Sequence, residues 1–224
     1  MTRIAVILAI LVCIVAILPM SFARTARIEG AEVTLLEVGD MAPEFKLFGV
    51  DYTYHSLERY ADKPVIVVVF HCNHCPTSQA NVDRLVALGN EYQEKGVQFL
   101  VINPNPADKV AADGFPQMAH RARDKDFPFP YLYDETQMTA AAYGARRTDH
   151  VFVLCEPKED GRRPILYIGP IDDRHNEPVY LAQALDARLA GEEIENKEID
   201  AFGCTIKYRT ASERVARFGY DPLD

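Results

Sequence analysis

Residues Phe70 to Pro76 read FHCNHCP, two cysteines two residues apart with a histidine directly before each. Cysteines at this spacing can clamp a metal, cycle between dithiol and disulfide, or form a static crosslink, so the spacing alone leaves three chemistries open. Their surroundings narrow the choice. Lys63 to Phe70, KPVIVVVF, is a β-branched run without polar interruption, the pattern of a central strand buried on both faces. From Pro76 onward PTSQANVDRLVALGNEYQEKG places Val82, Leu85, Leu88 and Tyr92 at helical spacing and stops at Gly96. The cysteines are therefore expected where a buried strand ends and a helix begins. A helix start offers unpaired N–H groups and a positive partial charge, both of which stabilise a thiolate.

The remaining elements must hold that junction. Before it, EVGDMAPEFKLFGVDYTYHSL predicts two short extended stretches around a turn, after a polar lead. VQFLVIN (Val97 to Asn103) predicts a second buried strand. Pro104 to Asp126, with its charge run HRARDKD, reads as a solvated helix or loop inserted over one edge. FPFPYLYD is extended because its prolines keep it out of helix, and ETQMTAAAYG is a short helix ending on Gly144. HVFVLCE and RRPILYIG read as two strands around the turn PKEDG, and EPVYLAQALDARLAG as an amphipathic helix stopped by Gly191. Beyond it, EEIENKEIDAFGCTIKYR has no clear period. This order predicts an α/β fold with helices packed on a central mixed sheet.

The first 23 residues carry one early charge, Arg3, then an uncharged apolar run from Ile4 to Leu18, Pro19 and the small-residue spacing Ser21-Phe22-Ala23. This is the form of a cleaved secretory signal, with the cut expected after Ala23, an exported and periplasmic product, and membrane attachment only if the signal stays uncleaved. Cys13 lies inside the apolar run and is lost with it. Roughly 200 residues remain, enough for one domain with a full core: a main domain over 36–191 and a tail over 192–224. The net charge of −9 argues against nucleic acid and anionic membrane as partners. Four cysteines remain, Cys72, Cys75, Cys155 and Cys204, too few for a disulfide scaffold.

A CxxC at a strand-to-helix junction in this element order resembles the thioredoxin fold. More closely, VGDMAPEFKLFGV with KPVIVVVFHCNHCPTSQANVDRL resembles the alkyl hydroperoxide reductase/thiol-specific antioxidant redoxins. FPFPYLYDETQ, AAYGA and the tail GCTIKYR resemble the peroxiredoxin-like group that carries Cys-Asn-His-Cys-Pro. The resemblance runs from about Val38 to Leu189, resumes at Gly203 to Arg209, and implies a thioredoxin-like fold in which the CxxC is the redox site. It implies Cys72 as the exposed attacking thiol and Cys75, one helical turn deeper, as the resolving thiol. His74, beside Cys75, is expected to offer an N–H or a charge to the Cys72 thiolate and so make the disulfide more oxidising, while His71 stands where thioredoxin has Trp.

Two departures from the family bear on mechanism. Cys72 occupies the position of the peroxiredoxin Thr or Ser, so the hydroxyl that would hold a peroxide is missing. Asp149, after Thr148, stands where peroxiredoxins have an arginine and thioredoxins a cis-proline; a nearby carboxylate would raise the thiol pKa. Arg146 and Arg147 are close enough in sequence to substitute. Cys204 matches the tail motif and is expected as a third redox thiol or as a static partner of Cys155, itself expected as a small buried hydrophobe.

Three functions follow as expectations. The first is an exported thiol–disulfide oxidoreductase that acts on protein thiols or disulfides through Cys72, Cys75 and His74, with an electron donor or acceptor and without cofactor. The second is a thiol peroxidase oxidised at Cys75 and resolved by Cys72. The third is copper or zinc binding by Cys72, Cys75 and His150, or His74 in its place. The Cys-x-x-Cys-His order of haem attachment is absent, since Pro76 follows Cys75.

Overall fold

The apolar run ahead of the cysteines forms strand β5 (Val65–Phe70), and all six of its residues are buried. Side chains alternate along a strand, so this one run supplies two cores. Ile66, Val68 and Phe70 face one layer, and Val65, Val67 and Val69 face the other. The computed structural model describes residues 24–28, 31–173 and 179–223, and the expected leader, 1–23, lies outside them. Among the described residues no helix is long and apolar enough to cross a membrane.

In chain order the elements are β1 (Thr25–Ile28), β2 (Ala31–Thr34), β3 (Lys46–Gly49), β4 (Tyr54–Ser56), β5, α1 (Pro76–Gln93), β6 (Val97–Asn103), α2 (Phe115–Asp124), β7 (Tyr131–Tyr133), α3 (Met138–Ala142), β8 (His150–Leu154), β9 (Ile165–Gly169), α4 (Tyr180–Ala190) and α5 (Ala211–Phe218). Seven strands form one mixed sheet in the order β4-β3-β7-β6-β5-β8-β9, and β1 and β2 form a separate hairpin. β5, β6 and β7 are parallel neighbours. β8 runs antiparallel to β5 with Phe70 opposite His150, which sets the residues preceding β8 beside the CxxC segment. Helices α1, α2 and α4 cover one face through Leu85, Leu88, Tyr92, Met118, Leu181 and Leu185. The other face is covered by the β1–β2 hairpin, α3 and the tail, through Val33, Tyr143, Ile206 and Tyr208.

The fold is thioredoxin-like, as the resemblance implies, with the mixed sheet that the element order predicts. Three segments differ from the sequence reading. The polar lead contains the β1–β2 hairpin. The segment 104–126 is not a purely solvated cover, since Asn105, Asp113 and Met118 are fully buried. The tail runs beside the sheet, with bridges from Ile168 to Glu198 and from Arg147 to Thr205, and then forms α5 behind a Thr210–Glu213 capping box.

Buried Arg163 ties the end of the sheet away from the cysteines. Its guanidinium donates to the carbonyls of Cys155 (2.7 Å), Tyr60 (2.8 Å), Ala61 (3.3 Å) and Lys63 (2.9 Å), so the approach to β5 and the hairpin of β8 and β9 are fixed by one side chain.

Candidate active site

Chain direction carries β5 into the sheet edge at Phe70, and the next residues must turn into α1. That turn is held from the inserted segment. The Asp113 carboxylate accepts the backbone N–H of Asn73 (2.7 Å) and of His74 (3.1 Å), the His74 ring at Nδ1 (2.6 Å) and the Asn105 side-chain amide (3.0 Å). The Asn73 side chain then donates to the Ala112 carbonyl (2.9 Å) and accepts from the Tyr131 hydroxyl (3.0 Å). Four donors satisfy a carboxylate that has no exposure to solvent, which is the condition for burying it at all. Asp113 is a site residue that the sequence reading passes over, inside a segment read as solvated.

Cys75 is the N-cap of α1, with Pro76 opening the helix. Its sulfur accepts from the Thr148 hydroxyl at 3.1 Å. The Cys72 thiol, first, and then the Cys204 thiol and this hydroxyl hold the Cys75 pKa far below that of an ordinary thiol. Cys72 is pushed far up by the same contact with Cys75, then by burial and by the Asp113 carboxylate. The two shifts run in opposite directions, so the pair favours its negative charge on Cys75 and its proton on Cys72. Burial, and then the neighbouring Cys75, raise Cys204 to about 11.

The Asp149 carboxylate is occupied elsewhere. It accepts from His71 Nδ1 (2.7 Å), the Ser78 hydroxyl (3.0 Å) and the Asn81 amide (2.9 Å). A carboxylate only accepts, so His71 carries its proton at Nδ1 in this contact, and its buried Nε2 has no partner among the described residues. Asp149 takes a left-handed backbone (φ 60°), a conformation Asp tolerates better than most residues, and its N–H donates to the Phe70 carbonyl at 2.6 Å. The carboxylate that raises the Cys72 pKa is that of Asp113, with Asp149 acting on Cys204 instead.

Several expectations change. Cys72 is not exposed; both it and Cys75 have no solvent exposure, because the loop is drawn inward onto Asp113. His74 Nδ1 stands 3.4 Å from the Cys72 sulfur but only 2.6 Å from Asp113 Oδ2, so its N–H is directed mainly at the carboxylate. A hydroxyl does stand at the reactive sulfur, supplied by Thr148 from across the sheet instead of from the position before Cys75. Cys204 and Cys155 cannot pair. Cys204 sits beside Thr148, just before β8, and Cys155 follows the far end of that strand seven residues on, roughly 23 Å away at ~3.3 Å per residue. Arg146 and Arg147 reach neither cysteine of the pair; with Cys204 they line a cavity of about 1090 Å³.

The expected metal set of Cys72, Cys75 and His150 does not assemble. Burial lowers the His150 pKa to about 3, and its ring packs on Phe152. Among the described residues, Cys72, His74 and Asp113 do bring ligand atoms within 4.8 Å of one another. A cation between them would have to break the 2.6 Å contact of His74 with Asp113 and take the proton it holds.

A family model described as AhpC/TSA family matches residues 38–169, more than half of the chain. The chain belongs to the AhpC/TSA family. Among solved structures, an uncharacterized conserved protein from Geobacillus kaustophilus is 36% identical, with a TM-score of 0.71 over 78% of this chain and 94% of its own. A hypothetical protein from Sinorhizobium meliloti 1021 is 26% identical, with a TM-score of 0.71 over 84% of this chain and 99% of its own. The peroxidoxin BcpB from Mycobacterium tuberculosis is 19% identical, with a TM-score of 0.52 over 70% of this chain and 96% of its own, a likeness of fold alone. A search of curated proteins finds no match.

The opposite shifts of Cys72 and Cys75 set a pH profile for the reduced protein. Cys75 is depressed in the folded state, so its contribution to stability is full above the unfolded thiol value of ~8.5 and is lost as the pH falls below it. Cys72 is raised, so its contribution is full below ~8.5 and is lost as the pH rises above it. Together they peak near ~8.5. Urea unfolding of the reduced protein across pH should show that maximum, and Cys75→Ser should lose the acid-side slope; an unchanged slope in that variant would refute a thiolate at Cys75.

Proposed function

We propose that this redoxin is a thiol–disulfide oxidoreductase whose Cys72–Cys75 pair exchanges disulfides with protein thiols in an exported compartment. The observation that carries the reading is the Cys72–Cys75 pair at the start of α1 with the Thr148 hydroxyl donating to the Cys75 sulfur at 3.1 Å, surroundings that lower the Cys75 pKa and raise that of Cys72. A thiolate with an adjacent thiol is the reduced half of a two-electron couple. In exchange, a thiolate attacks one sulfur of a disulfide and the other leaves with the electron pair. The donors around Cys75 make it a good leaving group and stabilise the reduced form, which places the couple toward the oxidising end.

The midpoint potential of Cys72–Cys75 is therefore expected above about −200 mV, in the range of oxidants and isomerases. Equilibration in glutathione buffers, followed by alkylation and mass spectrometry, measures it. A pair that never forms a disulfide would remove the basis of this reading.

Thr148 favours a second reading, thiol peroxidase. The Cys75 thiolate would attack a hydroperoxide to give a sulfenic acid and an alcohol or water, and Cys72 would condense with it to a disulfide and water. The hydroxyl at 3.1 Å from the sulfur is placed to hydrogen-bond an incoming oxygen. On this reading the reduced protein consumes peroxide faster than a free thiol, and Thr148→Val slows it about tenfold. A wild-type rate equal to that of a free thiol ends it.

Export rests on the residues up to Ala23. The intact mass of protein from the native host is expected to begin at Arg24, and a chain that retains its first residues in the soluble fraction would contradict export by cleavage.

A further inference from the structure

The two cysteines of the proposed couple are both sealed from solvent, yet exchange with a protein requires a sulfur that a partner can touch. Cys204 is the half-buried one, and it lines the cavity together with Pro76, Arg146, Arg147 and Thr205. Neither Cys72 nor Cys75 lines that cavity. Cys204 is the more exposed sulfur and Cys75 lies behind it, the two joined through Thr148 and each shifting the other's pKa.

We infer that Cys204 is the thiol through which partner proteins reach the buried pair, so that the redox unit is a three-sulfur relay with Cys75 at its centre. This rests on the pair being redox-active.

The contact between Cys204 and Cys75 is built into the tail. Thr148 is the connector: its N–H donates to the Cys204 carbonyl at 2.8 Å while its hydroxyl donates to the Cys75 sulfur at 3.1 Å. On one side Arg147 donates to the Gly203 carbonyl at 3.0 Å, and on the other the Ile206 N–H donates to the Arg146 carbonyl at 3.1 Å. Gly203 has φ +153°, and a Cβ there would stand 2.4 Å from the Thr148 carbonyl oxygen and 3.0 Å from its hydroxyl. Only glycine lets the chain pass this close, and the passage brings Cys204 to Cys75.

The chemistry balances without any further oxidant. Starting from the Cys72–Cys75 disulfide, Cys204 releases its proton to solvent in the cavity and its thiolate attacks the Cys75 sulfur. The Cys75–Cys204 bond forms, the Cys72–Cys75 bond breaks, and Cys72 takes the electron pair and a proton. A partner thiolate then attacks the Cys204 sulfur, and Cys75 leaves as the thiolate its neighbours stabilise. A second partner thiol, as thiolate, displaces Cys204, which regains a proton. Two partner thiols have become one disulfide, and two electrons rest on Cys72 and Cys75. With the pair oxidised, Cys75 carries no charge, so part of what raises the Cys204 pKa is gone when its thiolate is needed.

The test uses the full mature chain. Cys72→Ser, equilibrated with oxidised glutathione and digested, should yield a Cys75–Cys204 disulfide peptide by mass spectrometry. Cys204→Ser should oxidise a reduced two-cysteine peptide on the order of tenfold more slowly than wild type, a loss larger than the change in its own measured Cys72–Cys75 potential accounts for. Gly203→Ala, which keeps the thiol but displaces it, should be slowed similarly, and thermal melts establish that each variant is folded. Glutathione attached to Cys75 itself without a Cys75–Cys204 peptide, or a wild-type rate in folded Cys204→Ser, overturns the relay and leaves the couple standing. A wild-type pair that never oxidises overturns both.

Discussion

A sulfur with no solvent exposure whose surroundings favour its charged form, at Cys75, is the constraint on which this site is built. An unpaired buried charge costs several kcal/mol, so the protein must surround it with donors. The Cys72 thiol comes from the loop after β5, the Thr148 hydroxyl from the chain before β8, and the Cys204 thiol from the tail. These three positions are 3, 73 and 129 residues from Cys75. The antiparallel pairing of β5 with β8 fixes the distance between the first two, and the bonds of the tail to Thr148 fix the third.

Two carboxylates are buried around the same loop, and their hydrogen bonds divide the labour. Asp113 is taken by two backbone N–H groups, the His74 ring and Asn105, so it sets the shape of the turn, and after the Cys75 contact and burial it adds to what raises the Cys72 pKa. Asp149 is taken by His71, Ser78 and Asn81, so it joins the end of β5 to the first turns of α1. No cation is needed at the thiolate, because neutral donors and the helix start supply the stabilisation.

How much of this was legible depended on whether the signal was local. The β-branched run of β5 and the 3.6-residue spacing of Val82, Leu85, Leu88 and Tyr92 announce a strand and a helix, because burial imposes a period on sequence. The CxxC between them could therefore be placed correctly at their junction. Asp113 could not be found this way: its partners lie about 40 residues away, and one buried carboxylate in a polar segment leaves no periodic trace. Thr148 was read as the residue before an unusual Asp, since the strand register that aims it at Cys75 is a tertiary fact. The α5 helix did carry a local signal, the Thr210-x-x-Glu213 capping box, which the aperiodic stretch before it obscured. Cys155 and Cys204 could only be separated by knowing that β8 lies between them.

The tail also bears on which edge a partner of the proposed exchange would use. In a thioredoxin-like fold the backbone preceding the β8-type strand is a natural place for an extended peptide to add itself by main-chain hydrogen bonds. Here the Thr148 N–H already donates to Cys204, the Arg146 carbonyl already accepts from Ile206, and Arg147 pairs with Thr205 as in an antiparallel ladder. The protein's own chain occupies the edge as a bound peptide would. An incoming protein would have to displace seven residues, Gly203 to Arg209, whose Ile206, Tyr208 and Arg209 are buried, or meet the one sulfur the tail presents. Burying that much apolar surface against the sheet is worth several kcal/mol, more than a transient partner recovers from a few edge hydrogen bonds. Displacement is thus the costlier route, and the sulfur of Cys204 is what remains within reach.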